Sequence, residues 1–550
     1  MKITFLVILF PYILFSKKID QQKIELAKRG SNYRVWVYFN DKNESEPLIP
    51  SLRTIVRRNN HGYSSDDLWY DLQVSSNYVN QIASMGIIIK NESRWLNAIA
   101  VICSKLDLSK IVQLPFVKKI EPVLGYKKLY LDKIDGINPS SRDFDYGNAQ
   151  AQIEQINVHL LHNQGYTGEG VRILLMDTGF DLTHNALDSI NVINQWDFIN
   201  GDSETANETE DEENISQDYH GTAVLSTIAA NAPGELVGVA FDAEFLLAKT
   251  EDVSQEIQQE EDDYVAGLEW GELNGASVVS TSLGYLDWYE YSDLDGNTAV
   301  TTIGVDIAVG LGMVCVTAAG NEGNDDWYYI IAPADADSVI SVGAVWENGD
   351  IASFSSHGPT ADGRIKPEVC ARGRQTWCIS PNSTVNYSQL SGTSLACPLV
   401  GGAVVLIRQA RPEWTAMEVR EAMMMTASMA DSANNTYGHG IVNAAAAIEY
   451  VTTSIIDQKD IVPKGFHILD AYPNPFNPSL NIQVFMDKES FVKVDIFSYN
   501  GKYIENLFNT KSINLIQTIN WNPKNLPSGV YFIRSNVNGI DLFKKVTYIK

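Results

Sequence analysis

Between about residues 150 and 455 the chain repeats one pattern: a short, almost unbroken apolar run, a polar break, then a longer amphipathic stretch. The apolar runs are VRILLMD (171–177), EFLLAKT (244–250), SVVSTSLG (277–284), GMVCVTAAG (312–320) and VISVGAV (339–345). Helices are predicted between them, near 221–230, 262–274 and 300–311. Strands that are apolar on both faces and joined by helices predict an α/β fold with a doubly wound, mostly parallel sheet. Such sheets hold ligands just beyond the carboxyl ends of their strands.

Two other patterns flank this block. In residues 33–123, YRVWVYFND, WLNAIAVIC and VKKIEPV read as strands, and DLQVSSNYVNQIASMG and DLSKIVQLPF read as helices. That alternation predicts a small α+β sandwich, set off by a polar stretch at about 127–150. In residues 466–550, LNIQVFM, FVKVDIFSY, YIENLF, GVYFIRS and LFKKVTYI are strand-like, with Asn500-Gly501 and Asn538-Gly539 at hairpin positions. An antiparallel β-sandwich is expected there. AYPNPFNPS (471–479) is its proline-stiffened lead-in, and the polar TTSIIDQKDIVPKGF joins it to the central block.

Composition narrows the function. A net charge of −27 over 550 residues argues against nucleic acid and anionic membranes as partners. The acid is concentrated in DSETANETEDEE (202–213) and EDVSQEIQQEEDD (251–263), which read as solvated surface and lack the spacing of a dedicated calcium loop. The first residues, MKITFLVILFPYILFSKKID, carry an apolar run too short to span a bilayer, and residues 1–16 read as a secretory signal. No later segment reads as a membrane helix. Export permits disulfides, and of Cys103, Cys315, Cys370, Cys378 and Cys397 the pair Cys370–Cys378 is the best candidate for a bridge.

Candidate chemistry stands at the strand ends. SGTS (391–394) precedes the apolar LACPLVGGAVVLI, so its hydroxyls either cap a buried helix or present a reactive serine at its N-terminus. Asp177 ends one apolar strand, His220 opens a helical stretch, and Asn321 closes VTAAGNEGN. Singly, each is an ordinary cap, turn or surface residue. Together with Ser394 they supply a nucleophile, a base, a carboxylate to orient it and an oxyanion donor. The order Asp, His, Ser is one of the known chain orders of a serine triad, and Ser394 lies outside any G-x-S-x-G elbow.

LLMDTGFDLTH, YHGTAVLSTIAAN, AAGNEG and LSGTSLACPLVGGAVVLI resemble the signature blocks of the subtilisin-like serine peptidases, and STSLGY and FSSHGPTADGRIKPEVCARG resemble supporting segments of that family. The resemblance covers roughly 150–450. It implies Asp177 as orienting carboxylate, His220 as base, Ser394 as nucleophile and Asn321 as oxyanion donor, in a secreted endopeptidase acting on polypeptides. It further implies that Ser282, Leu283 and Gly284 form one wall of the substrate cleft and Ala318, Ala319 and Gly320 the other, pairing with an extended peptide. No cofactor or catalytic metal is implied, and a structural calcium is left open. Cys397, where relatives commonly carry a small or hydroxyl residue, suggests sensitivity to thiol reagents. YRVWVYFNDK and RWLNAIAV resemble the inhibitory propeptides of secreted subtilases, which places a propeptide at 17–130 ahead of a peptidase domain at 150–455. The tail at 466–550 resembles the sorting domain of the type IX secretion system of Bacteroidetes-type bacteria. It implies that system as a partner and a secreted or outer-membrane-surface location, reached through the periplasm of a Gram-negative cell. A monomer is expected. The alternatives are a catalytically inactive binding or adhesion protein that kept the fold, and a tail that binds carbohydrate.

Overall fold

The computed structural model describes residues 18–20, 24–61, 69–123, 144–253, 261–286 and 289–450, and 466–550 apart from short breaks at its turns. The signal region, the junction at 124–143 and the connection at 451–465 lie outside the described residues. The chain forms two compact units, Met1–Thr452 and Thr453–Lys550.

The first unit begins with a five-stranded antiparallel sheet: β1 (Lys28–Arg29), β2 (Asn32–Phe39), β3 (Ile88–Ser93), β4 (Ala98–Ser104) and β5 (Val117–Pro122). Helices α1 (Leu52–Asn60), α2 (Ser76–Ala83) and α3 (Lys105–Ile111) lie along the same stretch. Successive side chains of a strand face opposite ways. Val35, Val37 and Phe39 accordingly pack with Ile82 and Ile111 in the unit's own core. Trp36 and Tyr38 face the other way, against Val265 and Val300 of the following block. A strand buried on both faces needs two partners, and the second belongs to the central block.

That block is built on a seven-stranded parallel sheet in the order β14-β13-β12-β11-β6-β10-β7. Its strands are β6 (Arg172–Asp177), β7 (Asn191–Asp197), β10 (Glu244–Lys249), β11 (Val278–Thr281), β12 (Val314–Ala318), β13 (Ile340–Val345) and β14 (Val369–Arg372), with a small ribbon of β8 (Asn231–Ala232) and β9 (Leu236–Val237). The helices that matter for the site are α4 (Tyr219–Ala229), α5 (Glu261–Leu273), α6 (Val300–Gly310) and α7 (Thr393–Ala410). The predicted strands and helices form, and the sheet gains edge strands β7 and β14. Among the described helices α7 alone is long and apolar enough to cross a membrane; it lies buried in the core of the sheet instead.

The expected Cys370–Cys378 bridge is not made: all five cysteines are free and buried. Cys370 lies in β14 with its thiol on the Tyr437 carbonyl (3.4 Å), whereas Cys378 lies in a separate hairpin with its thiol on the Ser388 carbonyl (3.5 Å). Burial pushes both thiols up to about 12.

The second unit carries seven antiparallel strands in a three-stranded and a four-stranded sheet. Phe476, Ile482, Val494, Trp521 and Ile533 share its core. The pairing Val537↔Ile540 closes a hairpin over Asn538-Gly539, and Phe497↔Tyr503 does so over Asn500-Gly501, although both turns lie outside the described residues. Residues 471–472, expected to be lead-in, already belong to a strand. Because each unit has its own core, truncation after Thr452 should leave the melting temperature of the first unit unchanged, measured by calorimetry. A fall would show that the tail supports the first unit's fold.

Candidate active site

The site is assembled where strands of the parallel sheet end. Asp177 is the last residue of β6 and fully buried. Its Oδ1 accepts the Thr178 amide (2.8 Å) and the Nδ1–H of His220 (2.6 Å). With that proton on Nδ1, His220 keeps Nε2 as a bare acceptor, and Nε2 is buried without a partner in the protein. His220 is the second residue of α4, and the next residue explains how the helix comes so close. A Cβ at Gly221 would lie 2.2 Å from the Gly179 carbonyl oxygen and 3.0 Å from the Asp177 Cβ, so only glycine fits between helix start and strand end.

Ser394 is the second residue of α7 and fully buried. A proline sits inside this helix at Pro398, and a proline has no N–H to give to the carbonyl four residues back. That carbonyl is Ser394's own. Ser282 fills the vacancy, donating its hydroxyl to Ser394 O at 2.8 Å. In return the Ser394 hydroxyl rests on the Ser282 carbonyl at a long 3.4 Å. The helix start is held from the other side by Asn321, whose Oδ1 accepts both the Thr393 amide (2.9 Å) and the Thr393 hydroxyl (2.8 Å). Asn321 therefore caps α7 from another segment, and its Nδ2 is left buried without a partner in the protein. Helices α4 and α7 meet at Ala223 and Leu395, which share one apolar cluster.

The remaining predicted residues fall as follows. Ser282–Gly284 continue from β11 and Ala318–Gly320 close β12, and the side chains of Leu283, Ala318 and Ala319 are turned into the core. Only backbone edges remain for a ligand. Sequence reading missed Ile331, which lies between these two segments: a Cβ at Gly284 would stand 2.1 Å from its Cδ1, and one at Gly320 3.1 Å from its Cγ1. Nothing in the local pattern around Ile331 marks it. Pro398, by contrast, was visible as a proline four residues after a serine in a helical run. Cys397 is fully buried, its thiol on the Thr281 carbonyl (3.3 Å) and pushed up to about 12, so the expected thiol-reagent sensitivity has no accessible thiolate behind it.

The two acidic runs part company. The first is mostly exposed; it brings Asp202 and Glu208 near buried Asp197. The Lys249 ammonium holds Asp197 (2.8 Å) and Glu212 (2.5 Å), so an ion pair ties this run to the end of β10. The second run was expected to be solvated, yet Glu251, Glu261 and Asp262 are fully buried. Tyr285 donates to Glu251 (2.6 Å), Tyr289 to Glu261 (2.5 Å), and Arg34 of the N-terminal sheet pairs with Asp262 (2.6 Å). Their partners come from distant segments, which no local pattern shows.

Known proteins resemble the chain in three stretches. Residues 168–440 match the subtilase family, 34–134 a propeptide domain of that peptidase family from Bacteroidota, and 470–550 a secretion system C-terminal sorting domain. The chain is 33% identical over 373 residues to subtilisin E of Bacillus subtilis, covering 67% of this chain and 85% of that protein. It is 37% identical over 302 residues to a subtilisin of Bacillus pumilus, covering 54% and 98%, and 34% identical over 297 residues to subtilisin Savinase of Lederbergia lenta, covering 54% and 97%. The chain belongs to the subtilase family. It is a secreted serine peptidase with a propeptide domain and a type IX sorting tail, which directs it to the outside or surface of a Bacteroidota cell.

The close approach at Gly221 is testable. Gly221→Ala must push α4 away from a backbone oxygen that cannot yield cheaply, breaking the Asp177–His220 bond. Peptide hydrolysis should fall at least about 100-fold, the scale set by an ångström of misplacement in a catalytic group. Wild-type turnover would mean that the two elements can separate without consequence.

Proposed function

We propose that the protein is an endopeptidase in which Ser394 attacks the scissile carbonyl of an extended polypeptide. His220 Nε2 takes the hydroxyl proton while Asp177 holds the imidazole by its Nδ1–H, and His220 then returns the proton to the leaving amine. The acyl-enzyme so formed is hydrolysed by water along the same route. The oxyanion receives two donors, the Asn321 Nδ2–H and the Ser394 backbone N–H at the first turn of α7. The substrate lies between 282–284 and 318–320 and pairs with their backbone edges as an added strand. These steps use side chains and backbone alone and call for no cofactor. We further infer that the N-terminal domain, 17–130 in our division of the chain, is an inhibitory propeptide cut away by the enzyme itself, and that the mature enzyme works as a monomer.

Two buried polar atoms without partners in the protein support this reading: His220 Nε2 for the base and Asn321 Nδ2 for the oxyanion donor. An unsatisfied buried donor or acceptor costs about 1–3 kcal/mol, so such atoms persist where a ligand completes them. A proton acceptor and an amide donor left open at one sheet edge match the needs of acyl transfer. Ser394→Ala and His220→Ala should each abolish hydrolysis of a chromogenic peptide and labelling by a fluorophosphonate, with little further loss in the double variant because the two act as a unit. Asn321→Ala should lower kcat by about 10²–10³-fold with little change in KM. Activity surviving in either triad variant would rule the triad out, and a change confined to KM would return Asn321 to a capping role.

Ile331 sets the expected substrate. The side chain preceding the scissile bond would enter between the two glycine-edged walls, where Ile331 spans the gap. Glycine, alanine or serine fits there and an aromatic ring does not. In a library of peptides varied at that position, small residues should be cut at least about tenfold faster, and Ile331→Gly should reverse the order toward phenylalanine, at roughly 10–200-fold for the volume gained. A wild-type preference for large residues would show that the chain enters elsewhere.

A further inference from the structure

The N-terminal domain grips the peptidase along the whole length of α5, from the catalytic edge of the sheet to its opposite end. Near the start of α5, Arg34 pairs with Asp262 (2.6 Å) and Asn91 donates to Asp262 (3.1 Å) and Asp263 (2.6 Å). Further along, Ser93 donates to Glu269 (2.6 Å) and Arg94 pairs with both Glu269 (3.3 Å) and Glu272 (3.4 Å). Helix α1 then reaches beyond the end of α5. Thr54 donates to the Glu272 carbonyl (2.6 Å), and the Ser51 amide donates to the Leu273 carbonyl (3.3 Å). Arg53 donates to the Gly170 carbonyl (2.9 Å), and His61 Nε2 accepts the Ala416 amide (3.0 Å).

Two consecutive arginines form the centre of this second contact. Arg57 donates to the carbonyls of Leu311 (3.2 Å) and Ala276 and to the Glu272 carboxylate. Arg58 lies between Asp71 (2.8 and 2.9 Å) and Glu272 (3.0 and 2.9 Å). Glu272 is fully buried, and both arginines nearly so. A carboxylate and two carbonyls converging on one group make a set of acceptors only, which matches the donor-only fork of a guanidinium and no other natural side chain as well. Gly170, Ala276 and Leu311 precede β6, β11 and β12, whereas Asp177, Ser282 and Ala318 follow or end them. The length of β6 alone separates the two edges by about 17 Å, at roughly 3.3 Å per residue.

We propose that this floor of the peptidase, centred on Glu272 and the carbonyls of Ala276 and Leu311, is a second propeptide-binding site that reads the Arg57-Arg58 pair of α1 and keeps the propeptide on the enzyme after its link to the peptidase is cut. The proposal rests on the reading of the N-terminal domain as a propeptide severed from the enzyme. Two contacts on one rigid ligand act as a bivalent grip, because an end that opens rebinds before the other leaves. Freeing the substrate cleft therefore does not by itself release the propeptide, and the floor contact governs how long the cleaved enzyme stays silent.

The test uses the full chain with an affinity tag on its C-terminal tail. After processing, the cleaved propeptide is washed from the immobilised peptidase and timed, and the onset of peptide hydrolysis is followed in parallel. Arg57→Ala/Arg58→Ala in the propeptide and Glu272→Gln in the peptidase should each shorten retention at least tenfold. Combining them should add little, since they remove the same contact. Once the propeptide is gone, all forms should hydrolyse peptide at the same rate. If the arginine variant yields no cleaved product, Glu272→Gln and Arg53→Ala decide the matter. Unchanged retention in those two overturns the second site, as does unchanged retention in the arginine variant. Failure of the underlying reading looks different: the N-terminal domain would never separate from the wild-type chain, or its departure would leave the rate of hydrolysis unaltered.

Discussion

The placement of the start of α7 is the constraint on which the site depends. Three segments meet there: the end of β11 through Ser282, the end of β12 through Asn321, and the helix itself. Pro398 makes the meeting necessary, because it leaves the Ser394 carbonyl without its helical donor. A buried carbonyl must find another partner, and the Ser282 hydroxyl supplies it at 2.8 Å. Asn321 contributes the matching constraint by capping the helix through Thr393. The backbone of Ser394 is thus tied to the segment that follows β11, and the start of its helix to the segment that follows β12. Rigidity of this kind lets a serine meet a carbonyl without reorganisation at the moment of reaction.

The N-terminal domain and the peptidase complete one another in both apolar and charged terms. Trp36 and Tyr38 of β2 have no core of their own to enter and pack on Val265 and Val300. In the opposite sense, α5 brings Asp262, Asp263, Glu269 and Glu272 to the interface, and the domain answers with Arg34, Arg94, Arg57 and Arg58. Burial and the neighbouring Asp262 push the Asp263 carboxyl up to about 7, a measure of how crowded with like charge this helix is.

The fold of the central block was legible because its strands are buried on both faces and so read as continuous apolar runs. What was missed follows from the same rule. Strand β7 lies at the sheet edge, half exposed, and its NVINQWD shows no apolar run; β14 is only four residues long. Helix α1 was not predicted, since the groups that bury Arg57 and Arg58, chiefly Glu272 and the Leu311 carbonyl, lie more than two hundred residues away in the chain. The acidic start of α5 was misread for the same reason. Asp177, His220, Asn321 and Ser394 could be picked out because strand ends and helix starts are where a parallel sheet places its chemistry. Ile331 could not, since its role comes from lying between two glycines that are distant in sequence.

The cysteines show how little this exported protein depends on covalent staples. Export makes bridges permissible, yet Cys103, Cys315, Cys370, Cys378 and Cys397 are all buried and unpaired. Disulfides are needed chiefly where a small domain cannot bury enough apolar surface. Here one apolar cluster runs from Trp95 to Ile448 on both faces of the parallel sheet, and thiols inside it behave as small apolar groups. Their environment also protects them: burial pushes Cys103 and Cys397 up to about 12, so neither offers a thiolate to an oxidant. An enzyme that leaves the cell with reduced cysteines can keep them only if its core stays closed. The same close packing that fixes Ser394 at the start of α7 keeps Cys397, one turn further along, out of reach.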